Sequence, residues 1–348
     1  MSTDEIEPID VQTAVDLYLD DREDELAEWT YYSHSSRLGH FVRYCDRVAD
    51  VTELREVDGK TLYEYRVWRR DEGELNPVTV KTQMDSLRVF IRWCEGVFVR
   101  QDLSDLVRSP DLDAEANVRD EMIEVDRAKE ILQHLKKYEY ASLGHVTLHL
   151  LWHTGVRIGA LHALDVDDYL RDEQQLEVRH RPDTETPIKN KDNGERNVNI
   201  SGDTCELLDD WLDVRPDHED DYGREPLLTT SAGGGRVHTT TLRTECHKWT
   251  RPCAIGIDCP HERDPDDCEA TSYDAAYTCP SSMSAHPFRR GAFTHWLRND
   301  WPEEVVSDRG NVGIETLRKH YDERTEVERA EARRDWLDKL DDDFDDNI

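Results

Sequence analysis

Three segments of the 348-residue chain carry side chains suited to phosphate: Thr154-Gly155-Val156-Arg157, His286-Pro287-Phe288-Arg289 and Leu317-Arg318-Lys319-His320-Tyr321-Asp322. A guanidinium is permanently charged, and its planar fork matches two phosphate oxygens better than an ammonium does. Histidine titrates near neutrality, and a tyrosine hydroxyl can act as a nucleophile. His286 and Arg289 are three residues apart, so a helix would turn them the same way. Taken singly, each has an ordinary reading: Arg157 as a cation at a helix end, His286 as a surface residue, Tyr321 as an aromatic packed beside Leu317. No metal-binding carboxylate cluster is evident beside them, so negative charge developing on a phosphate would have to be met by arginine.

A second group of residues could bind metal. Four of the eight cysteines fall in one stretch, Cys253-x5-Cys259-x8-Cys268-x10-Cys279, with proline after Cys259 and Cys279. Four thiols within 27 residues of an Asp- and Pro-rich insert too polar to build its own core predict a structural site with four sulfur ligands and one zinc ion. Four protein ligands leave no open position, so such a site braces and does not catalyse. Cys246, His247 and His261 are reserve ligands. Two disulfides or free thiols are the competing readings, and an expected cytoplasmic location argues against the disulfides. Cys45 and Cys94 lie on apolar helical patterns and read as small buried hydrophobes.

The elements that position these groups must come from a chain with 78 Asp+Glu, 44 Lys+Arg and a formal charge of −34. Its 36% hydrophobic residues still suffice for a core, and its length predicts two domains. The acidic start and the lack of any long apolar run predict neither a secretion signal nor a membrane span. Acid excess normally repels polyanions. Here acids are spread evenly, with 24 acids and 14 bases in residues 1–110 against 54 and 30 beyond, and Arg outnumbers Lys 34 to 10. That pattern resembles proteins of salt-in halophiles. At about 1 M salt the Debye length is only about 3 Å, so net charge does not exclude DNA. The plain alternative is an acidic solvated surface with no halophilic meaning.

Apolar residues at helical spacing predict four helices in residues 9–98: Val11–Leu19, Leu38–Val48, Leu62–Trp68 and Val80–Val97, the last opened by Asn76-Pro77. Bases on these helices (Arg37, Arg43, Arg47, Arg66, Arg69, Arg70, Lys81, Arg88, Arg92) alternate with aromatics including Trp29, Tyr31, Tyr32, Tyr65, Trp68 and Trp93. Domain 1–110 gives way to a linker at 111–121, a second domain at 122–340 with a Cys-rich insert at 246–280, and an acidic tail at 341–348. In the second domain, helical spacing marks Ile123–Leu135, Leu143–Trp152, Cys205–Leu212, Thr239–Trp249, Arg290–Leu297, Glu303–Ser307, Ile314–His320 and Glu326–Leu340. Two alternating runs, Leu176–His180 and Asn197–Ile200, flank Asp192-Asn193-Gly194 and predict a hairpin. Gly233-Gly234-Gly235 reads as a loop. The expected class is mainly α with a small β-sheet.

Taken in order behind a helical bundle, the three phosphate-handling segments resemble the tyrosine recombinase (phage integrase) family, particularly its haloarchaeal members, over roughly residues 10–335. The resemblance implies an N-terminal helical core-binding (SAM-like) domain that clamps double-stranded DNA and an α+β catalytic domain. It makes Arg157 and Arg289 the transition-state clamp, Tyr321 the nucleophile, and His286 the base or orienting group. The family lysine lies on a hairpin four residues before a Glu-Arg pair, which puts Lys191 there, with Lys189 as a substitute. The implied reaction is site-specific recombination through a 3′-phosphotyrosine, by four protomers, without ATP, small-molecule substrate or catalytic cofactor. A topoisomerase-like nickase and a catalytically silent DNA-binding relative are the alternatives. Two positions depart from the family pattern: Ala160 stands where an acid is usual, and Val312 where a His or Trp is usual. Asn311 or His320 are the candidates to compensate.

Overall fold

The computed structural model describes residues 6–26, 28–112, 121–230, 235–322, 324–331 and 334. The chain divides into two compact units, Met1–Val118 and Arg119–Ile348, each with its own apolar core. The division falls in the stretch read as a linker, most of which lies outside the described residues.

The first unit contains α1 (Val11–Asp21), α2 (Glu28–Tyr44), α3 (Gly59–Glu72) and α4 (Pro77–Cys94). Side-chain caps start three of them: Asp10, Asp58 and Asn76 accept from the amides of Thr13, Thr61 and Thr79. Pro77 in the first turn of α4 has no amide to satisfy there. Tyr18, Phe41, Tyr44, Tyr65, Met84 and Phe90 fill the core. Four of the interleaved aromatics therefore serve packing: Tyr65 is buried, and Tyr31, Trp68 and Trp93 pack against the core, the Trp68 ring 5.3 Å from that of Tyr44. Several bases are structural too. Buried Arg69 donates to Gln83 and is bonded to His40, Arg37 donates to Ser86, and Arg88 bonds Asp85 and the Val107 carbonyl. Arg43, Arg47, Arg70 and Arg92 are exposed. The side chain of Trp29 lies outside the described residues.

The second unit contains α5 (Val125–Tyr138), α6 (Leu143–Thr154), α7 (Ile158–Ala163), α8 (Gly202–Val214), α9 (Thr239–Thr250), α10 (Ala285–Arg298), α11 (Glu303–Gly310) and α12 (Ile314–His320). Helix α6 is buried along nearly its whole length and packs against α5, α8, α9 and α10. A three-stranded antiparallel sheet, β1 (Tyr169–Leu170), β2 (Gln175–Val178) and β3 (Arg196–Asn199), pairs Leu176 with Val198 and Val178 with Arg196. Among the described residues the chain is mainly helical with this one small sheet.

Several elements differ from the sequence expectation. The tight hairpin joins β1 to β2, with Gln174 left-handed at φ 53°. The anticipated β2–β3 pair forms, but Asp192-Asn193-Gly194 is not its tight turn. The connection 179–195 instead carries 3₁₀ turns at Pro182–Thr184 and Lys191–Gly194, with Asn190 and Lys191 both left-handed. Helix α7 is too short to show a period. Helix α10 begins at Ala285, five residues before the expected Arg290, because Pro287 falls in a first turn that tolerates it. Helix α9 takes in Cys246 and His247, so the irregular part of the insert starts only after Thr250. Of the expected helix Glu326–Leu340, residues 326–331 are helical, while 332, 333 and 335–340, the acidic tail and Gly233-Gly234 lie outside the described residues. Among the described residues, no helix is long and apolar enough to cross a membrane.

Helix α6 carries a ladder of histidines four residues apart. The rings of His149 and His153 are 4.1 Å apart, and His149 Nε2 bonds Thr204 Oγ1 at 2.9 Å. Burial holds His145 down at about 4 and His149 at about 2. An unfolded histidine protonates near pH 6.5, so the unfolded state gains protons first as pH falls. The stability is present above about pH 6.5 and lost progressively below it. Thermal midpoints measured between pH 7 and 4.5 should fall steeply in the wild type and along a shallower slope in His149→Gln.

Candidate active site

Two glycines permit the central geometry. Gly155 ends α6 at φ 61°, and a Cβ there would lie 2.5 Å from Phe293; a Cβ on Gly310, at the end of α11, would lie 2.3 Å from the same ring. The two turns thus close on either side of Phe293. Arg157, two residues after the first glycine, caps α7 in an extended conformation and is half-buried, its Nη1 donating to the Asn311 carbonyl at 3.1 Å.

Arg289 on α10 is fully buried. Its Nη1 donates to the Gly155 carbonyl and its Nη2 to the Gly310 carbonyl at 2.7 Å, while Nε has no hydrogen-bond partner among the described residues. The guanidinium lies 4.5 Å from the Phe293 ring centre and 5.6 Å from that of Tyr321. Burial, followed by the charge of Arg157, lowers its pKa to about 10, so it stays cationic at neutral pH. Burial likewise pulls Arg157 below its ordinary value.

Tyr321 caps the C-terminus of α12 instead of lying within the helix. It is buried, 5.1 Å from Phe293 between ring centres, and its carbonyl accepts from Thr294 Oγ1 at 2.7 Å. Its hydroxyl is 3.5 Å from Nε2 of exposed His286. That spacing is long for a bond but within the range that tightens when substrate binds. The next residue, buried Asp322, pairs with Arg324 at 2.8 Å and Arg329 at 3.3 Å, and Arg298 pairs with Glu328 at 3.2 Å. The segment after the tyrosine is thereby fastened to its own unit.

The structure brings together Arg157, His286, Arg289 and Tyr321. A cavity of about 350 Å³ opens beside Arg157, lined also by Lys189 and Arg196. Lys191, exposed and left-handed at φ 51°, is not among the residues lining it. Arg196 enters the sequence reading only as half of the Glu-Arg pair. It donates to the carbonyls of Arg309 and Gly194, and burial, then the charge of Arg157, lowers its pKa to about 10. Asn311, left-handed at φ 47°, is more than a spare hydrogen-bonding group. Its side chain accepts from Asn190 at 2.5 Å and donates to the Asn193 carbonyl at 2.6 Å, pinning the lysine loop to the turn that receives Arg157. Val312 and Ala160 are buried in the core, and His320 is held by no described bond to the Tyr321 hydroxyl. No local pattern betrays the Asn311 clasp, because its partners lie well over 100 positions away.

Arg157, Arg196 and Arg289 feel one another's charge, and among the described residues none of the three forms an ion pair with a carboxylate. In a chain with 78 acids to 44 bases, three desolvated cations without carboxylate partners stand out. Repulsion and burial cost stability here, and an incoming oxyanion would relieve both. The arrangement can hold a phosphate group beside a hydroxyl nucleophile.

The Phage integrase family model matches residues 121–322, more than half of the chain. Among solved structures, the fold is similar to the Tn1549 transposon integrase in complex with a circular intermediate DNA, at 14% identity over 94% of this chain and 99% of that chain, with TM-score 0.64. It is also similar to the lambda integrase tetramer bound to a Holliday junction, at 14% identity over 88% of this chain and 78% of that one, with TM-score 0.60. At these identities the likeness is one of fold. An N-terminal domain of a phage integrase/site-specific recombinase from Haloarcula marismortui is 30% identical over 30% of this chain and 99% of its own, with TM-score 0.29. No curated protein matches the sequence.

If the arginine cluster is built for an oxyanion, inorganic phosphate should raise the thermal midpoint above that in chloride at equal ionic strength. Arg157→Met should shrink the increment, as measured by scanning calorimetry.

Proposed function

The chain belongs to the phage integrase family, and from that premise we propose that it is a site-specific DNA recombinase that cuts and rejoins strands through a covalent bond to Tyr321. The observation that carries this reading is the Tyr321 hydroxyl beside His286, with its ring against the buried guanidinium of Arg289 and within the electrostatic reach of Arg157.

The chemistry follows from the positions. A DNA phosphate held by Arg157 and Arg289 presents its phosphorus to the Tyr321 oxygen. His286 orients the hydroxyl and takes its proton. The tyrosine oxygen bonds to phosphorus, the bond from phosphorus to the 5′ oxygen breaks, and a 3′-phosphotyrosine remains. The departing 5′ oxygen needs a proton, a role we assign to Lys189 in place of Lys191, because Lys189 lines the cavity beside Arg157. Attack by a 5′-hydroxyl of another strand reverses the steps, so the ester retains the bond energy and ATP is not required. Arg196 adds positive charge to the same cavity.

Double-stranded DNA is the proposed partner, gripped additionally by exposed bases of the first unit such as Arg43, Arg47 and Arg92. Lambda integrase, whose fold this chain shares, binds a Holliday junction as a tetramer, which supports four protomers acting on two duplexes here. The even excess of acids supports a halophilic, cytoplasmic setting in which concentrated salt screens long-range repulsion and leaves the contact charges in control.

A nicked suicide duplex in concentrated KCl provides the test. The wild type should accumulate a protein–DNA adduct stable to denaturant, and Tyr321→Phe should bind without forming it. Intact DNA in both reactions would overturn the reading. Arg289→Ala should slow adduct formation by about 10²–10³-fold, the effect of removing one oxyanion donor. Lys189→Ala should be slower than Lys191→Ala, and a bridging sulfur at the 5′ position, which leaves without a proton, should restore Lys189→Ala alone. Asn311→Ala should lower the cleavage rate with DNA affinity preserved, as judged by single-turnover kinetics beside a mobility-shift titration.

A further inference from the structure

The stretch from Arg251 to Ser284 contains no α-helix or strand, only 3₁₀ turns at Pro252–Ile255, Glu269–Thr271 and Ala276–Thr278. Its buried apolar side chains are Ile255, Ala270 and Ala276, while Ile257, Tyr273 and Tyr277 are exposed. Seven Asp and Glu residues in the stretch repel one another. So little buried apolar surface cannot offset the entropy of ordering a segment this long.

What the segment has instead is a series of backbone turns, four of which start at its cysteines. The carbonyls of Cys253, Cys259, Cys268 and Cys279 accept, in order, from the amides of Gly256 at 3.2 Å, Glu262 at 3.3 Å, Thr271 at 2.9 Å and Ser282 at 2.9 Å. Each cysteine therefore opens a turn closed three residues later. All four are free thiols of intermediate exposure, and all four line a single cavity of about 10 Å³. That is room for about one water-sized occupant, which suits a single ion. Buried Arg251, which donates to the Ala270 carbonyl, and Arg263 line the same cavity, where they offset the net negative charge of four thiolates around a dication. Of the reserve ligands, Cys246 and His247 do not line it, whereas His261 does, with its Nε2 bonded to Ser281 Oγ at 2.8 Å.

We propose that Cys253, Cys259, Cys268 and Cys279 bind one structural zinc ion, which holds the insert together and fixes the start of α10. Among the described residues, no three His, Cys, Asp or Glu side chains already form a metal-binding cluster. The four thiols close on the ion by rotating inward across the cavity they share. The insert is seated on α9 by Tyr273 donating to Glu245 at 3.1 Å and by the Met283 amide donating to Thr250 Oγ1 at 2.7 Å. Its last residue, Ser284, is the N-cap of α10, two positions before His286. The ion thus positions His286 from outside the reacting groups, and all four ligand places are filled by protein.

The full chain, purified under reducing conditions, should contain one zinc per molecule by plasma emission spectrometry. Replacement with cobalt should give the intense charge-transfer bands of tetrahedral thiolate coordination. The double variant Cys259→Ser/Cys268→Ser should lose both signals, and Tyr321→Phe should keep both, so failure of the recombination reading leaves this one intact. A wild-type protein free of zinc and silent to cobalt, with four insert thiols equally reactive before and after chelator, would overturn the proposal. So would two disulfides found by mass spectrometry in protein purified with reductant. If the double variant misfolds, the cobalt titration of the wild type decides alone.

Discussion

The second unit depends on one buried guanidinium. Arg289 joins the carbonyl that ends α6 to the carbonyl that ends α11, and both turns are glycines because Phe293 leaves no room for a Cβ. The first turn aims Arg157, and the second leads through Asn311 to the helix that carries Tyr321. A single cation therefore sets the distance between Arg157 and Tyr321. Charged-group hydrogen bonds are stronger than neutral ones, and breaking them in a buried place strands two acceptors. The same side chain that supports the geometry also belongs to it.

The contrast with other arginines of the unit explains why this cluster reads as a site. Arg181 pairs with Asp168 at 2.6 Å, Arg224 with Asp165 at 3.2 Å, and Arg236 with Asp165 at 2.5 Å and Asp220 at 2.8 Å. That network ties the sheet to the segment before α9, and its charges neutralise one another. Arg157, Arg196 and Arg289 take backbone carbonyls as acceptors instead, which orient a guanidinium without cancelling its charge. Asp308 is the carboxylate whose charge reaches Arg196, yet it forms no described ion pair with any of the three, so their charge stays available to an anion.

Much of this is legible in the sequence where local rules govern. Thr154-Gly155 announces a left-handed helix end, Asn76-Pro77 a helix start, and the spacing of His286 and Arg289 a shared face. The β2–β3 connection is not legible. Two consecutive left-handed residues, Asn190 and Lys191, redirect it, and counting back from Glu195 cannot show which lysine then reaches the cavity. The contacts of Asn311 and Arg196 are hidden for a different reason. Their partners are set by tertiary folding, and neither has a pattern in its own neighbourhood. The start of α10 escapes the periodicity because Pro287 reads as a break, whereas in a first turn proline helps a helix to begin.

The ion pairs of Asp322 carry a consequence for an assembly of several copies. The backbone of Tyr321 is bonded to Thr294, and the residue after it pairs with two arginines, which ties the tyrosine to α10 and to the segment that follows it in its own chain. Under the function proposed above, the tyrosine and the arginines beside it would therefore come from one and the same chain.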